Sequence, residues 1–192
     1  MISRRTFLAA SAASAALAGV SLPIGPDHLP GHRVRVLGVG GGGMNALQAI
    51  QPLVTGLADV VALNTDVQDL HKTAAPYQHQ LGAELTKGLG AGANPEMGRR
   101  AALGDRQVLR DLVEGASTVL LVAGLGGGTG TGALPVMAEL AREANARTIA
   151  VVSLPFWFEG RRRLARAQAG LASLIDVADV VIPLPNQALI AH

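Results

Sequence analysis

From Val34 onward, short continuous apolar runs alternate with longer stretches in which apolar positions recur at helical spacing. Val34–Val39, Val60–Leu63, Ser117–Ala123, Arg147–Leu154 and Asp179–Leu184 are apolar and rich in β-branched residues, and they predict five strands. Met44–Val54, Pro95–Glu114, Ala133–Asn145 and Glu159–Ile175 read as helices between them. Strands that are apolar on both faces and alternate with helices imply a mainly parallel sheet covered on both sides. The expected fold is therefore α/β, a Rossmann-like domain of three layers. No internal repeat is visible beyond this alternation.

The stretch before Arg33 follows a different pattern. Ser-Arg-Arg-Thr-Phe-Leu at Ser3–Leu8 precedes the alanine-rich run Ala9–Ala18, which closes in Ala16-Leu17-Ala18. A charged start, a short apolar run and a small-x-small triplet resemble a twin-arginine export signal. A disordered, alanine-rich extension is the plain alternative. The run is too short to span a bilayer, which takes roughly 20 residues. Pro23, Gly25, Pro26, Pro30 and Gly31 then read as a linker, giving an extension over residues 1–32 and a domain over 33–192.

Composition narrows the chemistry. A chain of 192 residues has room for one ordinary domain with a sizeable core. With 49% hydrophobic and only 16% charged residues, disorder throughout is excluded. There is no cysteine and the five histidines are scattered, which removes thiolate and histidine-based metal sites. The net charge of +2 comes from Arg4 and Arg5, leaving 14 basic against 14 acidic residues, so no nucleic-acid partner is expected. The informative excess is glycine, with 24 residues.

Two glycine clusters follow predicted strands. The first, Gly40–Gly43, lies between a strand and a helix, and Gly38, Gly40 and Gly43 also satisfy the dinucleotide pattern G-x-G-x-x-G with Asp66 further along. Alone it does not choose between nucleotides. The second, Gly126-Gly127-Gly128-Thr129-Gly130-Thr131-Gly132, joins the strand ending near Ala123 to the helix expected from Ala133. Glycines let backbone N–H groups converge on phosphate oxygens, the two threonine hydroxyls can add donors, and a helix N-terminus favours an anion. A side chain at Gly128 or Gly130 is expected to intrude on the phosphate. A Walker loop would need Gly-Lys-Ser/Thr, which is absent.

The sequence GGGTGTG resembles the signature loop of the tubulin/FtsZ family. GVGGGGMNA (Gly38–Ala46), NTD (Asn64–Asp66), TKGLGAGANPEMGRRAA (Thr86–Ala102) and PFWFEGRRR (Pro155–Arg163) are similar to family segments in the same order. The likeness runs from about Val34 to Ile190. It implies a GTP/GDP-binding domain of a cell-division GTPase, with any Mg2+ carried by the phosphates. It places Gly41, Gly42 and Gly43 near the phosphates, with Met44 beside them and Asn45 on the base. Ala91, Gly92 and Ala93 would approach the terminal phosphate, and Gly128, Thr129 and Gly130 would hold the diphosphate. Glu159 and Arg163 would hold the ribose, and Asn186 would face guanine.

Elementary chemistry supports parts of this. Glu159 and Arg163 are expected to share a helical face and pair at i,i+4. Asn186 follows the last predicted strand, at the carboxyl edge where open α/β sheets bind ligands. Phe156, Trp157 and Phe158 are three of five aromatics, and at least two are expected in the core. Arg161, Arg162, Arg163 and Arg166 read as a solvated helix face.

The sequence departs from the family at Met44, where a small residue is usual, and at Gln187, where an acid usually follows the asparagine. The resemblance further implies a long core helix, an acidic water-activating loop and a second domain, none of which is found up to His192. Hydrolysis is therefore expected to be weak or absent in this chain alone. A cytoplasmic place of work is expected, with export as the alternative, and no transmembrane span. Self-association or an FtsZ-type filament partner is the expected company. A nicotinamide-binding Rossmann protein and a non-catalytic filament-interaction remnant are the competing functions.

Overall fold

The structure is a computed structural model that describes residues 33–189; the twin-arginine-like stretch and its linker lie outside the described residues. The elements run β1 (Val34–Val39), α1 (Gly40–Val54), β2 (Asp59–Asn64), α2 (Val67–Leu70), β3 (Tyr77–Gln80), α3 (Ala83–Thr86), α4 (Pro95–Gly104), α5 (Arg106–Val113), β4 (Thr118–Gly124), α6 (Thr129–Glu143), β5 (Arg147–Leu154), α7 (Arg161–Ile175) and β6 (Val180–Pro185). Short 3-10 turns occupy Trp157–Glu159 and Asn186–Leu189.

Six parallel strands stand in the order β3-β2-β1-β4-β5-β6. Chain order reverses between β1 and β4, so the two connections leaving these strands run to opposite faces and open a crevice at their carboxyl ends. Alternation along the strands fills two cores. Leu37, Val39, Val119, Leu121, Ala123, Ala150 and Val152 face α4–α7, while Val36, Val60, Ala62 and Val122 meet Met44, Leu47 and Leu70 from α1 and α2. The three-layer parallel α/β fold is thus the one expected.

The sheet has one strand more than the apolar pattern predicts. Tyr77-Gln78-His79-Gln80 is polar and half-buried, an edge strand with no apolar run to reveal it. The helix expected over Pro95–Glu114 is also broken at Asp105, whose carboxylate accepts the Gly82 N–H at 2.9 Å and lies 2.9 Å from His79 Nε2. Asp105 thereby anchors β3 and α3 to the α4–α5 junction.

Arg35 is wholly buried on β1, which a charge tolerates only when paired and hydrogen-bonded. Its guanidinium donates to the carbonyls of Asp111 and Leu112 at the end of α5, where orphan carbonyls favour a cation, and Asp59 stands 3.9 Å away. Burial lowers its pKa, with Asp59 opposing that shift. Among the described residues no helix is long and apolar enough to cross a membrane.

Candidate functional site

A cleft of about 470 Å³ opens at the carboxyl ends of β1, β4 and β5. Two glycine-bearing segments line it and a third packs on the second, a close approach that small residues permit. Gly40, which begins α1 at φ +69°, stands where an added Cβ would lie 3.1 Å from the Gly130 nitrogen and 3.2 Å from the Thr129 Cβ. An added Cβ at Gly128 would lie 2.7 Å from the Ala91 Cβ and 2.9 Å from the Asn94 nitrogen. The head of α6 and the loop before it therefore touch both the head of α1 and the loop before α4.

Of the residues expected at the site, Gly41, Gly42, Asn45, Gly128, Thr129, Gly130, Glu159, Arg163 and Asn186 line this one cleft. Gly43, Met44, Ala91, Gly92 and Ala93 do not. Gly43 packs against the Val122 carbonyl, and the buried Met44 joins the α1-side core, where its Sδ accepts from Asn64 Nδ2 at 3.8 Å. The methionine that replaces a small residue thus points into the core and leaves the backbone path over the cleft open. Ala91, Gly92 and Ala93 stand beside the cleft as an outer rim, where Ala91 leans on Gly128, and Gly92 and Ala93 have φ of +56° and +57°.

Several local expectations need correction. A side chain at Gly130 would meet the Gly124 carbonyl at 2.9 Å and the Val39 carbonyl at 3.2 Å, and one at Gly128 would meet Ala91 and Asn94. Both positions face protein, whereas Gly127, which also lines the cleft, has nothing within 4 Å of an added Cβ. The Thr131 hydroxyl turns inward and accepts the Gly126 N–H at 2.9 Å, so it shapes the loop and offers the cleft no donor. The Thr129 hydroxyl lies 2.7 Å from that of Thr65. Arg166 Nε donates to the Gly126 carbonyl at 3.0 Å, a tie from α7 that the reading of a solvated arginine face does not anticipate.

Glu159 lies in the 3-10 turn ahead of α7, separated from it by Gly160, so it shares no helix with Arg163. The two still pair at 2.9 Å, and Glu159 also accepts the Phe156 N–H at 2.8 Å. That bond closes the turn and fixes the carboxylate at the mouth of the cleft. Trp157 and Phe158 are 72% and 60% exposed, contrary to the expected core role. Phe158 stacks on the half-buried Phe156 at 4.9 Å instead.

Asp66, which a dinucleotide reading would set on a ribose, caps α2. Its Oδ1 accepts from the Gln68 and Asp69 nitrogens at 2.9 and 3.2 Å. Ser153 and Pro155 also line the cleft. Pro155 opens the PFWFEGRRR segment without having been assigned a role, and Ser153 was missed, although the end of β5 is where the rule of strand carboxyl ends would look.

The profile of the "Tubulin/FtsZ family, GTPase domain" matches residues 33–192. The chain belongs to the tubulin/FtsZ family. It is 47% identical over 157 residues to the cell division protein FtsZ of Pseudomonas aeruginosa, covering 82% of this chain and 40% of that protein. It is 49% identical over 159 residues to cell division protein FtsZ 1 of Pyrococcus furiosus, covering 82% and 42%. The chain therefore spans less than half the length of these curated relatives. Among solved structures, an empty FtsZ dimer from M. jannaschii superposes with a TM-score of 0.81 at 39% identity, over 83% of this chain and 47% of that one. The GTPγS-bound protofilament of CetZ2 from Haloferax volcanii gives 0.75 at 29% identity, over 81% and 50%. Membership in the tubulin/FtsZ family accounts for the second glycine loop, which the nicotinamide reading leaves without a role.

Proposed function

We propose that this chain is a guanine-nucleotide-binding domain of a cell-division GTPase, taking GTP and GDP in the cleft between β1 and β4. The observation that carries the reading is the convergence of glycine loops from separate parts of the chain on one cleft that also receives Glu159, Arg163, Asn45 and Asn186. The loop Gly127–Gly130 presents N–H groups at the start of α6, where partial positive charge favours a diphosphate. Gly41 and Gly42 open α1 on the opposite wall, and Ala91–Ala93 stand ready for a terminal phosphate. Glu159, held by Arg163 and the Phe156 N–H, can accept from a ribose hydroxyl. Asn45 and Asn186 offer paired donors and acceptors to a base edge.

A bound triphosphate supplies the scissile anhydride, and Mg2+ would ride on its oxygens with several waters retained. Glu159 is the one carboxylate lining the cleft among the described residues, and its engagement with Arg163 and Phe156 leaves it poorly placed as a water-activating base. We therefore read hydrolysis as dependent on acids brought by a neighbouring subunit. Its company would be a second copy or an FtsZ-type filament, in keeping with the dimer and protofilament seen for relatives. GTP is a cytoplasmic metabolite, which favours that compartment over export through Ser3–Leu8; cell fractionation with an intact N-terminus separates the two.

Equilibrium dialysis of the purified chain against GTP and NAD tests the assignment. Retention of GTP with exclusion of NAD is expected, and retention of NAD alone would reinstate the dinucleotide reading.

A further inference from the structure

Thr65 lies between β2 and α2, outside the cleft, and is wholly buried. Among the described residues its hydroxyl has one partner, the Thr129 hydroxyl at 2.7 Å. A hydroxyl carries one proton and two acceptor sites, and a buried proton without an acceptor is costly. The Thr65 proton is satisfied when it is given to Thr129 Oγ1. The Thr129 proton is then free to point into the cleft that Thr129 lines. Burial of Thr65 thus favours the bond that runs from Thr65 to Thr129.

The other polar end of Thr65 is also engaged. Its carbonyl accepts the Gly90 N–H at 3.2 Å and the Thr86 hydroxyl at 3.2 Å. Gly90 begins the rim that continues into Ala91–Ala93, and Ala91 packs on Gly128. One residue therefore bonds through its side chain to the first residue of α6 and through its main chain to the loop before α4. Thr129 in turn abuts Gly40 at the head of α1.

We propose that Thr65 is a positioning residue that holds Thr129 as a donor into the cleft and couples the two anion loops, so that filling the Gly126–Gly130 loop orders the Gly90–Ala93 rim. The proposal deepens the nucleotide-binding reading and rests on it. Because GDP has no terminal phosphate to touch the rim directly, it is the probe that separates coupling from contact.

Backbone hydrogen exchange is measured on the full chain with and without saturating GDP, for the wild type, Thr65→Val and Thr65→Ser. Valine keeps the shape and removes the hydroxyl, whereas serine restores it. GDP is expected to slow exchange at Gly90 by about tenfold in the wild type and in Thr65→Ser, and to leave it unchanged in Thr65→Val, where GDP affinity also drops about tenfold. Unaltered Gly90 exchange in the GDP-bound wild type overturns the proposal, as does a Thr65→Ser variant as impaired as Thr65→Val. Should Thr65→Val fail to fold, Thr65→Ala takes its place as the hydroxyl-free variant, with the same outcomes expected. A wild type that binds neither GDP nor GTP contradicts the nucleotide-binding reading itself.

Discussion

Gly127 separates the work of the glycine loop on a ligand from its work on the fold. Gly127 lines the cleft, and an added Cβ there meets open space. Gly127→Val is expected to lose guanine-nucleotide binding while its thermal midpoint stays within a few degrees of the wild type. Gly130→Val is expected to lose both, because its Cβ is driven at the Gly124 and Val39 carbonyls. Parallel melting curves and nucleotide titrations check the pair. Arg163→Ala removes an ion pair whose arginine is half-exposed, so stability should change by less than about 1 kcal/mol. GTP affinity should fall about tenfold as Glu159 loses the partner that orients it, which titration of the variant measures. At this scale the glycine motif was legible because its residues are contiguous. The inward turn of Thr131, the Thr65–Thr129 bond and the core placement of Met44 were not, since they depend on contacts between residues far apart in sequence.

Among the elements, α4 and α6 cross closely enough that Gly132 sits against the Pro95 carbonyl and the Arg99 nitrogen, and Gly98 against the Gly128 carbonyl. The crossing brings the rim of Ala91–Ala93 onto the Gly126–Gly130 loop. Gly132→Ala is expected to destabilise by about 2–3 kcal/mol, since backbone cannot yield as a flexible side chain would. Gly104→Ala, at the end of α4 with open space around it, is expected to stabilise by up to about 1 kcal/mol. Urea denaturation of both variants measures the contrast. Elements with a continuous apolar run were legible in the sequence. Those set by polar tertiary bonds were hidden: β3 reads as a loop because its side chains are polar, and the break at Asp105 becomes evident only when Gly82 and His79 are seen to bond its carboxylate.

Across the whole molecule, the order β3-β2-β1-β4-β5-β6 puts the crevice between β1 and β4, and the site follows from that reversal. The same arrangement leaves one face of the far edge open. Val180, Ile182 and Leu184 alternate along β6 and remain 47%, 42% and 46% exposed among the described residues, beside Ile149 and Val151 on β5. A contiguous apolar face of this kind should bind a hydrophobic dye, and Ile182→Asp should lower that fluorescence without affecting nucleotide. Turnover also belongs to this scale. With Glu159 engaged, the purified chain should release phosphate on the order of 10²- to 10⁴-fold more slowly than a mixture with an FtsZ-type partner that supplies an acid. A phosphate-release assay with and without that partner checks it. The most direct test of the account is calorimetric titration of the purified chain with GTP and, separately, ATP. The account predicts saturable one-to-one GTP binding in the micromolar range with clearly weaker binding of ATP, and equal affinity for the two nucleotides, or no heat with GTP, would contradict it.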